Sequence, residues 1–484
     1  MAIGVEVTTS LRSGPSNPGV QSGRLHIAGL TEFGPVGRGV VVRSIAQFLA
    51  TFGDRTAYSS NTFDTARLFF EEGGSELVVS RVVGPGATKG SLTLKDALAA
   101  NTIKIEAIDP GAGSAGTNVE VTEGDAAGQF NVIISRGSTV LTRFTNMTSP
   151  ADLVSAAATN PFVRITSLGS ASAAPQDNPI VLAPTTLSAG ADDRANVTAQ
   201  IVVDALDAAG EIAQGGAVAA PGYTVATIGA LLAEHAKTFN KIALLSVGVG
   251  ASRDEAIAAA GTLGVSNAND AAGIFWPSIV IPDGAGTRVI GPEGYVAAVR
   301  AKAHRDVGFW KVPAGDSARM RWAVGTDVAL DVPGNNVLAD AYVNGIVTTG
   351  TKTRLYGWQS LAADRENLGM LTGRDSLNNL RILIAAALEP FVFEVLDGRR
   401  HLLGKIEGAV VGVVDPISKL NGFYALKDGD EEIDPGYRVD VSEALNTVTS
   451  AQSNTVLVST TVRLSPTAQL IQAEIIKVPL AASV

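Results

Sequence analysis

The rhythm of hydrophobic and polar positions changes along this chain, and each change predicts a different kind of structure. Ile3, Val5 and Val7 alternate with Gly4, Glu6 and Thr8, the two-residue period of a half-buried strand. The following TTSLRSGPSNPG is too rich in Ser, Gly and Pro to pack by itself. Residues 1–20 therefore read as an extended arm, a strand on a tether with no hairpin partner beside it, which either docks as an edge strand on its own domain or finds its sheet elsewhere. From 21 to 84 the pattern is strand, helix, helix, strand. Leu25–Gly29 begins it, and Ser44 is placed to cap a helix over Ile45–Phe52 that Gly53 stops. Phe63, Arg67 and Phe70 recur at helical spacing before Gly73-Gly74, and Glu76–Val83 is a β-branched run of the buried type.

Residues 85–186 read as an inserted, mostly β domain. Gly, Ser, Thr and Ala dominate there, with short strands at Thr102–Ala107, Asn118–Thr122 and Phe130–Ile134 and turns at GAGSAG and EGDAAG. From 187 to 350 helices alternate with strands. Helices are expected at Asn196–Ala209, Val225–Thr238, Asp254–Leu263 and Pro292–Ala303, and strands at Gly216–Ala220, Lys241–Val247 and Gly273–Ile281. That is the pattern of βα units around a parallel sheet, so 21–84 and 187–350 together form an α/β body. An α+β C-terminal domain, 351–465, carries helices near 376–396 and 399–413, then a strand in which Val456, Val458, Thr460 and Val462 alternate. Residues 466–484 form a second extended arm, strand-like over Gln469–Val478. The fold class is α/β multidomain with an extended arm at each end.

Composition narrows the partners. Of 484 residues 46% are hydrophobic, enough for a real core in each domain, but only 17% are charged, against roughly 25% in ordinary soluble proteins. A chain so poor in charge is expected to hide surface against neighbours. Lys+Arg 37 against Asp+Glu 47 gives a net charge of −10, which argues against direct nucleic-acid binding. The absence of cysteine removes disulfides, thiolate nucleophiles and Cys-ligated zinc. Met1–Pro15 lacks the apolar core of a secretion signal, and Leu380–Leu396 is broken by Glu389 and Pro390, so no membrane insertion is expected.

The candidate chemistry is thin. Strand KIALLSV runs into Gly248-Val249-Gly250-Ala251-Ser252, a glycine-rich turn of the kind that can hold a phosphate. Arg253 stands where a dinucleotide fingerprint needs its third glycine, no Gly-Lys-Ser/Thr follows, and Ser252 with Glu255 makes a capping box instead. His26, His235, His304 and His401 are all more than five residues apart, so each reads as an isolated residue. Asp428, Asp430, Glu432 and Asp434 suggest a calcium loop, but Ile433 and Val439 stand where that loop needs Gly and Glu, so the run reads as a solvated loop. Gly315-Asp316-Ser317 has no base nearby. No catalytic residue, cofactor or metal site is expected.

Several blocks resemble those of contractile tail sheath proteins from phages and related injection systems. Val289–Ala314, VIGPEGYVAAVRAKAHRDVGFWKVPA, is similar to the family's Gly-His/Tyr-Val-Ala … Asp … Gly-x-Trp/His-Lys-x-Pro-Ala segment. Asn344-Gly345-Ile346 and Arg354-Leu355-Tyr356-Gly357-Trp358 through Leu361 resemble the block N-x-I … R-V-W-G-x-x-T-L, with Ser360 in place of Thr. Phe391-Val392-Phe393-Glu394 resembles the end of the family's long helix, and Glu432-Ile433-Asp434-Pro435-Gly436 its E-D-I-D-x-G. Ala66-Arg67-Leu68-Phe69-Phe70-Glu71, Gly73-Gly74 and Arg81-Val82-Val83-Gly84 look like the A-x-x-F-F-x-N-G-G … R-V block, with Glu72 where Asn is usual. The likeness covers about 20–84 and 187–478; residues 85–186 show none, as the family varies its outer domain.

The resemblance implies a structural subunit and not an enzyme. Subunits would form stacked hexameric rings around an inner tube and contract from a metastable extended state to drive that tube through a cell envelope. Their arms would add strands to neighbouring subunits, here through Ile3, Val5 and Val7 at one end and Leu470, Ile471, Ile475, Ile476 and Val478 at the other. The implied partners are other copies of the chain, the inner tube protein, and baseplate and tail terminator proteins. The implied location is a virion tail assembled in a bacterial cytoplasm, or a cytoplasmic or extracellular particle if the system injects proteins. The face toward the tube would lie around 376–396. Three alternatives stay open: the sheath of a bacterial injection system, another structural component such as a baseplate protein, and a nucleotide-binding enzyme using Gly248 and Gly250.

Overall fold

A computed structural model describes residues 22–469 with Ile471 and Gln472. The chain divides into two compact units, one of residues 21–309 and 313–379, the other of 310–312 and residues from 380 onward.

The first unit is built on an eight-stranded sheet. Its spatial order is Lys352–Leu355, Val343–Thr349, Ala272–Trp276, Ile242–Ser246, Ala217–Ala219, Leu25–Gly29, Leu77–Arg81, Val40–Val42. The six inner strands run parallel, and the two edge strands pair antiparallel. Uninterrupted apolar runs are what a parallel sheet covered on both faces demands. Ala28, Val218, Ala243, Leu245 and Ile274 point into one core, shared with Val202, Leu206, Ile228, Leu232 and Leu338 from helices. Leu25, Ile27, Ile242, Leu244 and Phe275 point the other way and are equally buried.

Local signals set the helix ends. Ser44 accepts from the Gln47 N–H ahead of Ile45–Phe52, and Gly53 ends that helix at φ 85°. Helix Val225–Thr238 starts at a capping box formed by Thr224 and Thr227. Some expected bounds move. Strand Gly273–Ile281 is two strands in different sheets: Ala272–Trp276 stays in the large sheet, while Ile279–Asp283 pairs with Gly286–Ile290 and Gly325–Thr326. The break falls at Pro277, which has no N–H for a ladder. Helix Asn196–Ala209 narrows to Ala199–Asp207, capped by Thr198. The GAGSAG turn is a 3-10 helix over Ala112–Gly116.

Residues between Leu77–Arg81 and Ala217–Ala219 build two further sheets around a core of their own. One orders Leu182–Thr186, Thr117–Glu123, Phe130–Arg136 and Thr139–Met147, the other Ser91–Lys95, Asn101–Ala107 and Val163–Ser167. Ile103, Ile105, Val119, Val121, Val132 and Ile134 meet in that core, with Leu153 from helix Pro150–Ala156. Where the chain leaves and returns, buried Arg81 ties the ends together: its guanidinium bonds Asp192 Oδ1 at 2.8 Å and the carbonyls of Gly34 and Pro110 at 2.9 and 2.7 Å.

Helix Leu371–Leu388 is rooted in the first unit by Asp375. Its carboxylate takes both Arg300 Nε and Nη2 at 2.7 Å and His304 Nε2 at 3.2 Å, all buried. The helix starts earlier than 376 and stops before 396, because Pro390 disfavours helical geometry at Glu389 and supplies no N–H. The next helix runs over His401–Lys419, beyond 413, and holds Pro416 in its last turns.

The second unit is built round helix His401–Lys419, whose Leu402, Leu403, Ile406, Val410, Val414 and Ile417 are buried. Leu402, Ile406 and Val441 are buried together, with Leu388, Phe391, Leu396, Val456 and Val458 half-buried around them. Its strands form two separate two-stranded ladders, Leu426–Asp428 with Glu431–Asp434 and Tyr437–Asp440 with Ser459–Val462.

Candidate functional site: an open strand edge

The place where an α/β fold usually binds a ligand is filled here. The sheet winds first to one side of Leu25–Gly29 and then to the other, so the crevice should open beyond Gly29 and Ala219. Helix Ser60–Glu71 occupies it with its first turn. Gly29 lies so near Thr62 Oγ1, and Gly222 so near Asn61, that neither has room for a Cβ. At the glycine turn, Gly248 and Gly250 have φ of 120° and 77°, and the helix Arg253–Leu263 that follows is closed by its own residues. Glu255 accepts from Ser252 N–H and Oγ–H at 2.7 and 2.8 Å, and those bonds hold its carboxyl below the usual range. The turn's carbonyls are taken as well, Ala251 by Trp276 Nε1 at 2.9 Å and Gly248 by Ser278 Oγ at 3.3 Å. A cavity of about 390 Å³ beside it is lined by Asp254 and Asp331 as well as Arg253; those carboxylates oppose a phosphate.

His26 is isolated as expected, with neither ring nitrogen hydrogen-bonded among the described residues, but the other three histidines are not. His235 Nδ1 lies 2.6 Å from Asp207 and its Nε2 2.9 Å from Lys241 Nζ. His304 meets Asp375, and His401 lies 2.6 Å from Asp397. Sequence spacing missed these pairs because each partner comes from another turn or element, 28, 71 or four residues away. Among the described residues, no group of three or more His, Asp or Glu could hold a metal ion. The acidic run is not a loop but a hairpin, its strands joined at Gly429 with φ 61°. Asp434, at the end of that hairpin, pairs with Arg463.

The second unit leaves a strand edge open at Ser459–Val462 among the described residues. Leu457 N–H donates to Asn446 Oδ1 at 2.7 Å, and Leu457 C=O accepts from Asn446 Nδ2 at 2.9 Å, so one asparagine side chain stands in for a paired strand. Arg463 N–H bonds the Gly436 carbonyl on the same side at 2.7 Å. In an antiparallel strand alternate residues face alternate edges. Leu457, Ser459, Thr461 and Arg463 therefore face the inner ladder, and Val456, Val458, Thr460 and Val462 turn their N–H and C=O groups outward. Among the described residues nothing pairs with that outward row. The alternation expected over 456–462 is real, but the ladder covers only 459–462 because the partner strand ends at Asp440.

Apolar surface gathers in the same unit. Phe393 is 101% exposed and Val395 81%, with Val392, Ile433 and Val448 also uncovered. Phe393 has φ 68°, so a left-handed backbone presents it. Of the expected arm residues, Ile471 is 85% exposed and outside any strand. Ile3, Val5, Val7, Leu470, Ile475, Ile476 and Val478 lie outside the described residues. The receiving edge itself escaped the sequence reading. Its only signal was the alternation from Val456 to Val462, which does not say which edge is free.

No family model matches the chain, and no curated protein matches it. Solved structures do. A sheath tail protein from Listeria innocua superposes with a TM-score of 0.61 at 11% identity, over 87% of this chain and 89% of that one. A sheath tail protein from Desulfitobacterium hafniense gives 0.56 at 14%, over 90% and 93%. The contracted sheath of an extracellular contractile injection system gives 0.56 at 13%, over 98% and 97%. At such identities the likeness establishes the fold: this mixed α/β chain has the fold of contractile tail sheath proteins.

Proposed function

We propose that this chain is a non-enzymatic, structural subunit of a contractile tail sheath, assembling with other copies into stacked hexameric rings around an inner tube. The observation that carries the reading is the outward row of Val456, Val458, Thr460 and Val462. A strand edge with unpaired N–H and C=O groups is a template for a further strand, even where the ladder packs on a helix as it does here. The alternating Ile3, Val5 and Val7 of a second copy, or its Leu470, Ile471, Ile475, Ile476 and Val478, have the pattern to supply it. Each backbone bond contributes about 0.5–1.5 kcal/mol net, so a few bonds with apolar burial give several kcal/mol per arm. The contact joins unlike surfaces and does not close on itself, so it propagates into a lattice.

Contraction then requires two packings of the same linked subunits. The arms stay paired and the SGPSNPG tether takes up rotation while the bodies re-pack, from an extended state held by kinetic barriers to a contracted state of lower free energy. The inner tube, baseplate and terminator proteins are the proposed partners, and the location is a tail or injection particle. Deleting residues 1–10 tests the reading. The variant is expected to stay folded and monomeric and to form no tubes by negative-stain microscopy; normal tubes would contradict it.

A further inference from the structure

The amino edge of the large sheet holds a second arrangement, independent of the sheath reading. Lys241, just ahead of Ile242–Ser246, is fully buried, and its Nζ lies 2.9 Å from His235 Nε2 near the end of Val225–Thr238. His235 Nδ1 lies 2.6 Å from Asp207, the last residue of Ala199–Asp207. Nδ1–H donates to the carboxylate, which leaves Nε2 as the acceptor for the lysine. One side-chain chain thus ties two helices to a strand.

The surroundings are short of acid. His26, on Leu25–Gly29, is buried nearby with no carboxylate partner among the described residues. Arg24 pairs with Glu76, which also holds Arg43, so that carboxylate is engaged. From helix Leu371–Leu388, Asn378 Nδ2 donates to the Lys241 carbonyl at 3.0 Å; the charges beside it, Arg374 and Asp375, are paired with Asp270 and Arg300. Lys237 is exposed. His235 and Lys241 therefore depend on Asp207, whose side chain is itself 48% exposed.

We propose that Asp207, His235 and Lys241 form a proton-operated latch that holds the amino edge of the sheet closed at neutral pH and releases it in acid. Protonation removes the lone pair on His235 Nε2 and sets two cations against each other in a buried site, so the bond to Lys241 cannot persist. Burial, then the charge of Lys241, already lowers His235 to about 4, and burial lowers Lys241 to about 7 and His26 well below its ordinary value. A base depressed on folding adds stability that is complete above its unfolded pKa and is lost as pH falls toward the folded one. For His235 that window runs from about 6.5 down to about 4.

Urea unfolding of the full chain from pH 8 to pH 4.5 tests the latch, compared with His235→Gln, and the histidine ring signals are followed by NMR in the wild type. Between pH 6.5 and 4.5 the wild-type unfolding constant is expected to rise on the order of 30-fold more than that of the variant. The His235 signal, identified by its loss in the variant, should titrate below pH 5. Parallel pH profiles for the two proteins would overturn the proposal. Should the variant not fold, Lys241→Met supplies the comparison, and a wild-type set in which every histidine titrates near 6.5 overturns it.

Discussion

The two units of this chain solve the burial problem in opposite ways. The first closes on itself: both faces of its sheet are buried, Arg81 and Arg300 meet Asp192 and Asp375 inside it, and even Glu72 is consumed, accepting the N–H groups of Arg321, Trp322 and Ala323 at 2.8–2.9 Å. The second buries one face of helix His401–Lys419 with Phe423 and Val441, but stops its ladders at two strands and leaves Phe393 wholly in solvent. The difference is between a unit whose sheet is covered on both faces and one that leaves a strand edge and large apolar side chains uncovered.

The comparison breaks most sharply at the open edge. Thr460→Pro combined with Val458→Pro removes two outward N–H groups and none that the inner ladder uses, a position where proline is tolerated. Tube formation should be abolished by microscopy while thermal unfolding of the first unit stays unchanged. Next in size comes the first unit's own clamp. Burial opposes the charge on Asp375, yet Arg300 and His304 hold it down to about 2. Asp375→Ala strands a buried guanidinium and should cost about 3–5 kcal/mol in urea unfolding. Because that carboxylate lies below its unfolded value of about 3.8, its stabilisation is complete above about pH 4 and fades only as pH falls toward 2. The smallest effect is Ser252→Ala, which removes a capping box at the glycine turn and should cost about 1 kcal/mol without touching assembly.

Legibility in the sequence followed the same division. Helix Val225–Thr238 and strand Leu25–Gly29 were readable to the residue, because capping threonines and buried runs are local signals. In residues 85–186 the strands Ser91–Lys95 and Thr139–Met147 were missed: SLTLK alternates over only five residues, and Thr139, Thr142, Arg143 and Thr145 blur the period of the other. Pro277 diverted a continuous apolar run into two sheets, a tertiary event that no window of residues reveals. At the candidate site, the alternation from Val456 to Val462 announced a strand. That Asn446 would satisfy its inner side and leave the outer side open depends on a contact between side chain and backbone 11 residues apart.

Amide hydrogen exchange at Val458, Thr460 and Val462 bears most directly on the idea that other copies finish the second unit. In the dispersed chain these amides should exchange within seconds to minutes, while Ile242–Ser246 stays protected. In assembled tubes their exchange should slow by at least about 100-fold, as for strands paired on both sides. Equal, rapid exchange of the three amides in tubes and in dispersed chain would contradict the account.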